Sequence, residues 1–382
     1  MPPGKSDGTL RDVHDRYLTP TVVEDLERKM VFLGGARQVG KTTLAKSLLG
    51  GSPGYRTWDA SDDRLRIMRG ELPVSELWVL DELHKYRQWR GYLKGLYDKR
   101  EPTQRILVTG SARLDLYRHG GDSLQGRYHY LRLHPLSVAE LGVASAESVE
   151  QLFRLGPFPE PFFSGSERHA RRWSREYRTR LVREDVRDLE RVVELDKLEL
   201  LALRLPELVG SPLSVNALRE DLQVAFKTAE RWVSILERLY AVFRVPPFGA
   251  PKLRAVKKAQ KHYHLDWSSV PDEAARFENL VGAHLLKWVH REQDVEGREL
   301  TLRYFRDVDG REVDFVVMER RKPILFVECK LTSAPLDGGL RYLVERFPGV
   351  PAWQVALRGD RDAKTPEGIR LAPAHVFLST LV

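Results

Sequence analysis

The chain has 382 residues, 42% hydrophobic and 30% charged, which is ample for two or three separate cores and ordinary for a soluble protein. No run approaches the roughly 18 to 20 apolar residues of a membrane span, the N-terminal "MPPGKSDGTLRDVHDRYL" lacks an apolar signal core, and Cys329 is the single cysteine; neither a membrane domain, secretion nor a disulfide framework is expected, and the cytosol is the expected compartment. A formal net charge of +8, with a sequence pI close to 9.4, suits a phosphate-rich partner without identifying it.

Residues 1–21 form an N-terminal segment. From Val22 to about residue 146, apolar strand-like runs alternate with amphipathic helices: "MVFLGG", "KTTLAKSLLG", "ELWVLDEL", "WRGYLKGLYDK", "RILVTGSA" and "YHYLRLHPL". That alternation predicts an α/β fold around a mainly parallel sheet. Residues 147–205 read as a helical lid or connector, broken by "LGPFPEPFFSG", whose prolines and glycines exclude a continuous helix. Residues 206–270 hold the helices "SVNALREDLQ" and "FKTAERWVSILERLY", then strand-like "AVFRVPPF" and "KHYHLD", the pattern of a winged helix-turn-helix. On the second helix, Ala229, Trp232, Val233, Leu236 and Leu239 follow helical spacing. Lys227, Thr228 and Arg231 are left near its start as candidate nucleic-acid contacts. Residues 271–382 open with the helix "EAARFENLVGAHLLKWVHR". Strands "ELTLRYFRD", "REVDFVVMER" and "PILFVECKL", a helix "GGLRYLVERF", and strands "AWQVALRG" and "AHVFLSTL" complete a second α/β unit.

"GARQVGKT" fits G-x-x-x-x-G-K-[ST], follows apolar "MVFL" and opens a helical run, the context this motif requires. Gly35, Ala36, Arg37, Gln38, Val39, Gly40, Lys41, Thr42 and Thr43 are therefore the expected nucleotide-binding residues. The two glycines permit the tight turn that aims N–H groups at phosphate oxygens, Lys41 brings a point charge to the β and γ oxygens, and Thr42 offers Mg²⁺ a hydroxyl. "LWVLDEL" ends a strand in Asp81, a second metal ligand, and Glu82, which would polarise the attacking water. Thr109 and Ser111, at the tip of "ILVTGSA", are candidates to sense the γ-phosphate. Arg127 in "LQGRYHYL" is the candidate for neutralising transition-state charge, within the chain or across a subunit boundary, with Arg113 as a rival.

The succession "GARQVGKTTL", "LWVLDELHK", "ILVTGSA" and "SLQGRYHYLRLHPLSVAEL", followed by a strand-rich C-terminus, resembles a broad prokaryotic family of AAA-type ATPases. The resemblance implies a P-loop ATPase core joined to a winged helix and a C-terminal restriction-endonuclease-like α/β domain. It implies ATP and Mg²⁺ as cofactors and, by analogy, a homo-oligomer.

In the last region, Glu278 on the leading helix, Asp314 in "REVDFVV" and Glu328-Cys329-Lys330 in "FVECKL" resemble the PD-(D/E)xK nuclease constellation. The resemblance implies that Asp314, Glu328 and the Cys329 carbonyl hold Mg²⁺, that Glu278 completes the shell, and that Lys330 orients or deprotonates water. Period-2 alternation puts Glu328 and Lys330 on one strand face, with Val327 and Cys329 on the other. His262, His264 and Asp266 show no partner at structural-zinc spacing and read as part of a wing strand.

Three functions stay open, one of them a plain transcription regulator that binds duplex DNA sequence-specifically through the winged helix; the other two use the nucleotide site. The first is an ATP-hydrolysing protein that binds and processes nucleic acid, expected to be DNA, with a Mg²⁺-dependent C-terminal nuclease. The second is a nucleotide-dependent signalling or defence switch whose nuclease-like domain only binds DNA or another partner.

Overall fold

The computed structural model describes residues 16–111, 114, 124–142, 144–186, 192, 194–249 and 260–382. Arg113 and most of the lysine-rich stretch before His262 lie outside these residues.

Five parallel strands form the first sheet: β1 (Met30–Gly34), β2 (Tyr55–Thr57), β3 (Leu77–Asp81), β4 (Arg105–Thr109) and β5 (Tyr128–Arg132), in the order β2-β3-β4-β1-β5. β1 is buried at every position because helices cover both sheet faces, which is why "MVFL" shows no alternation. The register sets Leu33 beside Thr109 and Thr109 beside Asp81, so the ends of β1, β4 and β3 lie abreast. In a parallel sheet that carboxyl edge is where ligands bind.

Beyond the sheet come helices Ala146–Leu155, Pro159–Ser164 and Glu167–Arg180, the last running into a π-helical turn over Leu181–Val186. The proline-rich stretch expected to be loop therefore contains a short helix. Pro159 occupies its first turn, where a missing N–H costs nothing, and Gly165 closes it in the left-handed conformation. Helices Val215–Leu222 and Phe226–Arg238 are followed by an antiparallel ribbon of β6 (Val242–Val245) and β7 (Lys261–His264). Ala229, Trp232, Val233, Ile235 and Leu236 are buried along the second helix, each large one contributing roughly 1.5–3 kcal/mol.

The 22-residue helix Glu273–Asp294 starts at Asp272, whose carboxylate accepts the Ala275 N–H at 2.8 Å. It leads to a six-stranded mixed sheet of β8 (Leu300–Arg306), β9 (Glu312–Glu319), β10 (Lys322–Thr332), β11 (Ala352–Arg358), β12 (Ala363–Lys364) and β13 (Arg370–Pro373), ordered β12-β13-β11-β10-β9-β8. "AHVFLSTL", expected to be a strand, is instead the helix Ala374–Leu378. Pro373 starts it, and Ala374, Phe377 and Leu378 meet the core at helical spacing; so short an apolar run does not reveal its period in sequence.

Candidate functional site

The loop after β1 is built on left-handed backbone. Gly35 has φ +143°, and a Cβ there would lie 2.3 Å from the Leu133 carbonyl oxygen. Gly40 has φ +100° and begins the helix Lys41–Leu49, whose first N–H groups have no partner within the helix. Gln38, at φ +58°, adopts a conformation unusual for a residue with a side chain. Loop and helix end together make an anion cradle. The Lys41 ammonium donates to the Gly35 carbonyl at 2.9 Å and the Ala36 carbonyl at 2.6 Å, folding back on the loop it serves. Burial lowers its pKa to about 8 against the opposing pull of Glu82 and Asp81, so it is mostly charged at neutral pH.

Asp81, at the tip of β3, gathers three hydroxyl donors: Thr42 at 3.0 Å and Tyr55 at 2.7 Å to Oδ2, and Thr109 at 2.5 Å to Oδ1. Glu82 follows at φ +55°, its Oε1 accepting the Ser111 N–H at 3.1 Å and its Oε2 lying 3.3 Å from Lys85. Lys41, Thr42, Asp81, Glu82 and Lys85 face a cleft of about 530 Å³. A carboxylate beside a hydroxyl at the mouth of an anion cradle is a donor set that fits nucleotide-bound Mg²⁺, with Thr42 and Asp81 as its protein ligands.

Sequence reasoning missed the far wall of this cleft. Tyr177 and Arg180, from the helix Glu167–Arg180, line it opposite the loop. Arg37, read as a loop residue, bridges to that wall through Glu184 at 3.0 Å and Asp185 at 3.1 Å in the π-helical turn. Only packing brings residues so distant in the chain together. Arg127 lies away from the cradle within its own chain. It precedes β5, at the end of the sheet away from the cradle, and pairs with Asp98 at 2.9 Å, so it serves no phosphate within its own chain.

In the second sheet, Glu278, Asp314, Glu328 and Lys330 do converge. The Cys329 N–H donates to Asp314 Oδ2 at 2.9 Å, the Asp314 N–H to Glu328 Oε2 at 3.3 Å, and Lys330 to Glu328 Oε1 at 2.7 Å and to Asp337 at 3.1 Å. Desolvation and the neighbouring carboxylates push the acids at 278 and 328 upward. What the sequence did not disclose is Lys261, from β7, whose ammonium lies 2.9 Å from Glu278 and 2.6 Å from Glu312. The protein's own N–H groups and ammoniums thus already bond one oxygen of Glu278, one of Asp314 and both of Glu328, and among the described residues no three acidic, His or Cys side chains are placed to share one ion. The arrangement does not fit the expected nuclease Mg²⁺.

Lys227 and Arg231 are exposed and Thr228 half-buried at the start of the helix Phe226–Arg238. His262 bonds the Leu205 carbonyl at 2.9 Å, and Asp266 accepts from Ser174 and Ser268, so both groups hold the fold.

Residues 27–142 match a family described as an AAA domain, while 146–270 and 274–377 match two families described only as domains of unknown function. Uncharacterized proteins of Mycobacterium tuberculosis and Mycobacterium bovis are each 28% identical over 318 residues, covering 80% of this chain and 71% of theirs. An uncharacterized protein of Methanocaldococcus jannaschii is 24% identical over 309 residues, covering 66% of this chain and 63% of its own. Among solved structures, a Walker-type ATPase of Pyrococcus abyssi aligns with 69% of this chain and 96% of its own at 15% identity and a TM-score of 0.41. RuvB of Thermotoga maritima aligns with 60% of this chain and 87% of its own at 17% identity and a TM-score of 0.30. The N-terminal region is a P-loop AAA domain. No helix among the described residues is long and apolar enough to cross a membrane.

Proposed function

We propose that the chain is an ATP-hydrolysing, nucleic-acid-binding switch. One observation carries the reading: Lys41, Thr42, Asp81 and Glu82 face a single cleft at the carboxyl edge of a parallel sheet, with Asp81 bonded to Thr42. On nucleotide binding Lys41 would exchange the Gly35 and Ala36 carbonyls for β and γ oxygens. Thr42 and Asp81 would hold Mg²⁺, which would supply positive charge to the triphosphate. Glu82, oriented by the Ser111 N–H, positions the attacking water, and Arg180 approaches the triphosphate from the far wall.

Nucleic acid as the partner, with DNA the expected form, is supported by the +8 charge and by the exposed start of the helix Phe226–Arg238. In this reading residues 206–270 act as a winged helix and the last region as a restriction-endonuclease-like domain. Arg127 is proposed to act only across a subunit boundary, in a homo-oligomer. Of the two roles for the last domain, holding DNA is favoured over cutting it, because the Lys261 ammonium lies 2.9 Å from Glu278 and 3.7 Å from Asp314, two of the carboxylates expected around its metal. The test is Lys41→Ala, which should abolish ATP turnover in the purified full-length chain; undiminished hydrolysis would overturn the assignment.

A further inference from the structure

The carboxylate cluster at Glu278, Glu312 and Asp314 comes with a cation already installed. Lys261 begins β7, and its side chain is only 1% exposed although it carries a charge. Its Nζ lies 2.9 Å from Glu278 Oε1, 2.6 Å from Glu312 Oε1 and 3.7 Å from Asp314 Oδ1. An ammonium has three N–H donors, and here three carboxylates surround it. The shell is made of hard oxygens, as for Mg²⁺, but is opened to N···O distances that suit a lysine. Alternation along β7 puts Tyr263 on the same face, where its hydroxyl donates to the same Glu278 oxygen at 2.6 Å.

Three further oxygens of the cluster already have donors. Asp314 Oδ2 accepts the Cys329 N–H, and Glu328 accepts the Asp314 N–H and the Lys330 ammonium. A divalent ion entering between Glu278 and Asp314 would have to displace Lys261 or lie beside it, and two like charges at that separation repel strongly in a dry site. The lysine comes from the ribbon next to the helix Phe226–Arg238, so the contact also fastens that ribbon to the C-terminal sheet.

We propose that Lys261 is a built-in cation that replaces a divalent metal, so that the C-terminal cluster takes up neither Mg²⁺ nor Mn²⁺ and serves as the seat of the β6–β7 ribbon. This deepens the reading of the domain as one that holds nucleic acid without cutting it, and is independent of the ATP site.

Mn²⁺ titration of the nucleotide-free full-length protein, followed by electron paramagnetic resonance of the free ion, tests it. Wild type and Asp314→Asn should bind Mn²⁺ alike. Lys261→Met, of similar length and no charge, should gain about one ion per chain, and that gain should vanish in the Lys261→Met/Asp314→Asn double variant. Loss of an ion on converting wild type to Asp314→Asn would overturn the proposal, as would a folded Lys261→Met that gains none. Should Lys261→Met fail to fold by circular dichroism, the wild-type and Asp314→Asn comparison decides alone. Mg²⁺-dependent DNA cleavage, measured on the same wild-type sample, separates the two readings: an ion bound at Asp314 without cleavage sinks only the built-in cation, whereas cleavage lost in Lys330→Ala sinks the non-cutting domain.

Discussion

In the proposed reading, one backbone angle prepares the Glu82 side chain for chemistry. At φ +55° the chain leaves β3 in a conformation that turns the carboxylate from the sheet toward the cleft, where the Ser111 N–H and Lys85 hold it. A glutamine keeps the shape and the Ser111 contact but is a far weaker acceptor for a water proton. Glu82→Gln should therefore bind ATP as wild type does while its turnover falls by roughly 10²–10⁴-fold, measured by phosphate release beside nucleotide titration. Glu82 is a candidate from sequence because an apolar strand ending in Asp-Glu follows a phosphate loop. Its partner was legible only as a candidate: Ser111 was read as a γ-phosphate sensor, and it is the backbone N–H of that residue that touches Glu82. Lys261 was not legible at all, since a lysine in a basic stretch looks like any solvated charge until β7 is seen to enter the core.

The helix Glu273–Asp294 is the element that joins the two sheets. From Glu278 in the carboxylate cluster to Asp294, which pairs with Arg132 at 2.7 Å beside β1, it spans about 24 Å at 1.5 Å per residue. Midway, Lys287 meets Glu140, which also holds Arg16 at 2.8 Å; Arg16 in turn donates to the Val39 carbonyl of the phosphate loop at 2.7 Å. Glu140→Gln would leave two buried cations short of their counter-charge and should cost about 3–5 kcal/mol in urea unfolding. Burial alone would push Glu140 up, yet Arg16 and Lys287 hold it down at about 2. Because the folded pKa is depressed, the stabilisation is fully present above the ordinary value of 4.5 and is lost as pH falls toward about 2. Unfolding curves of wild type and Glu140→Gln should converge over that window; a gap unchanged down to its lower end would contradict the assignment. "HPLSVAEL" and "LLKWVHR" carry these residues, but their pairing across some 150 positions leaves no local pattern to read.

Across the whole molecule the apolar cores ignore the boundaries expected from sequence. One core joins Leu33, Ala45 and Leu107 of the first sheet to Trp173 and Leu181 of the connector and to Trp232 and Leu236 of the helix Phe226–Arg238. Another packs Leu152 and Phe153 of the connector against Trp267, Phe277, Phe315 and Val327 around the second sheet. Segments that share cores unfold together, so calorimetry of the full chain should show one dominant transition; two well-separated transitions of comparable area would refute this coupling. Sequence by itself determined the parallel sheet, the phosphate loop with its acids, and the strands bearing Asp314 and Glu328, because strand period, glycine conformation and a metal-type donor order are local properties of neighbouring residues. Tertiary structure alone decided what those side chains face: Arg180 across the cleft, Arg127 on the far side of the sheet, and an ammonium among the carboxylates. Charge interactions act through space, and the chain carries no local record of which distant segment will fold against it.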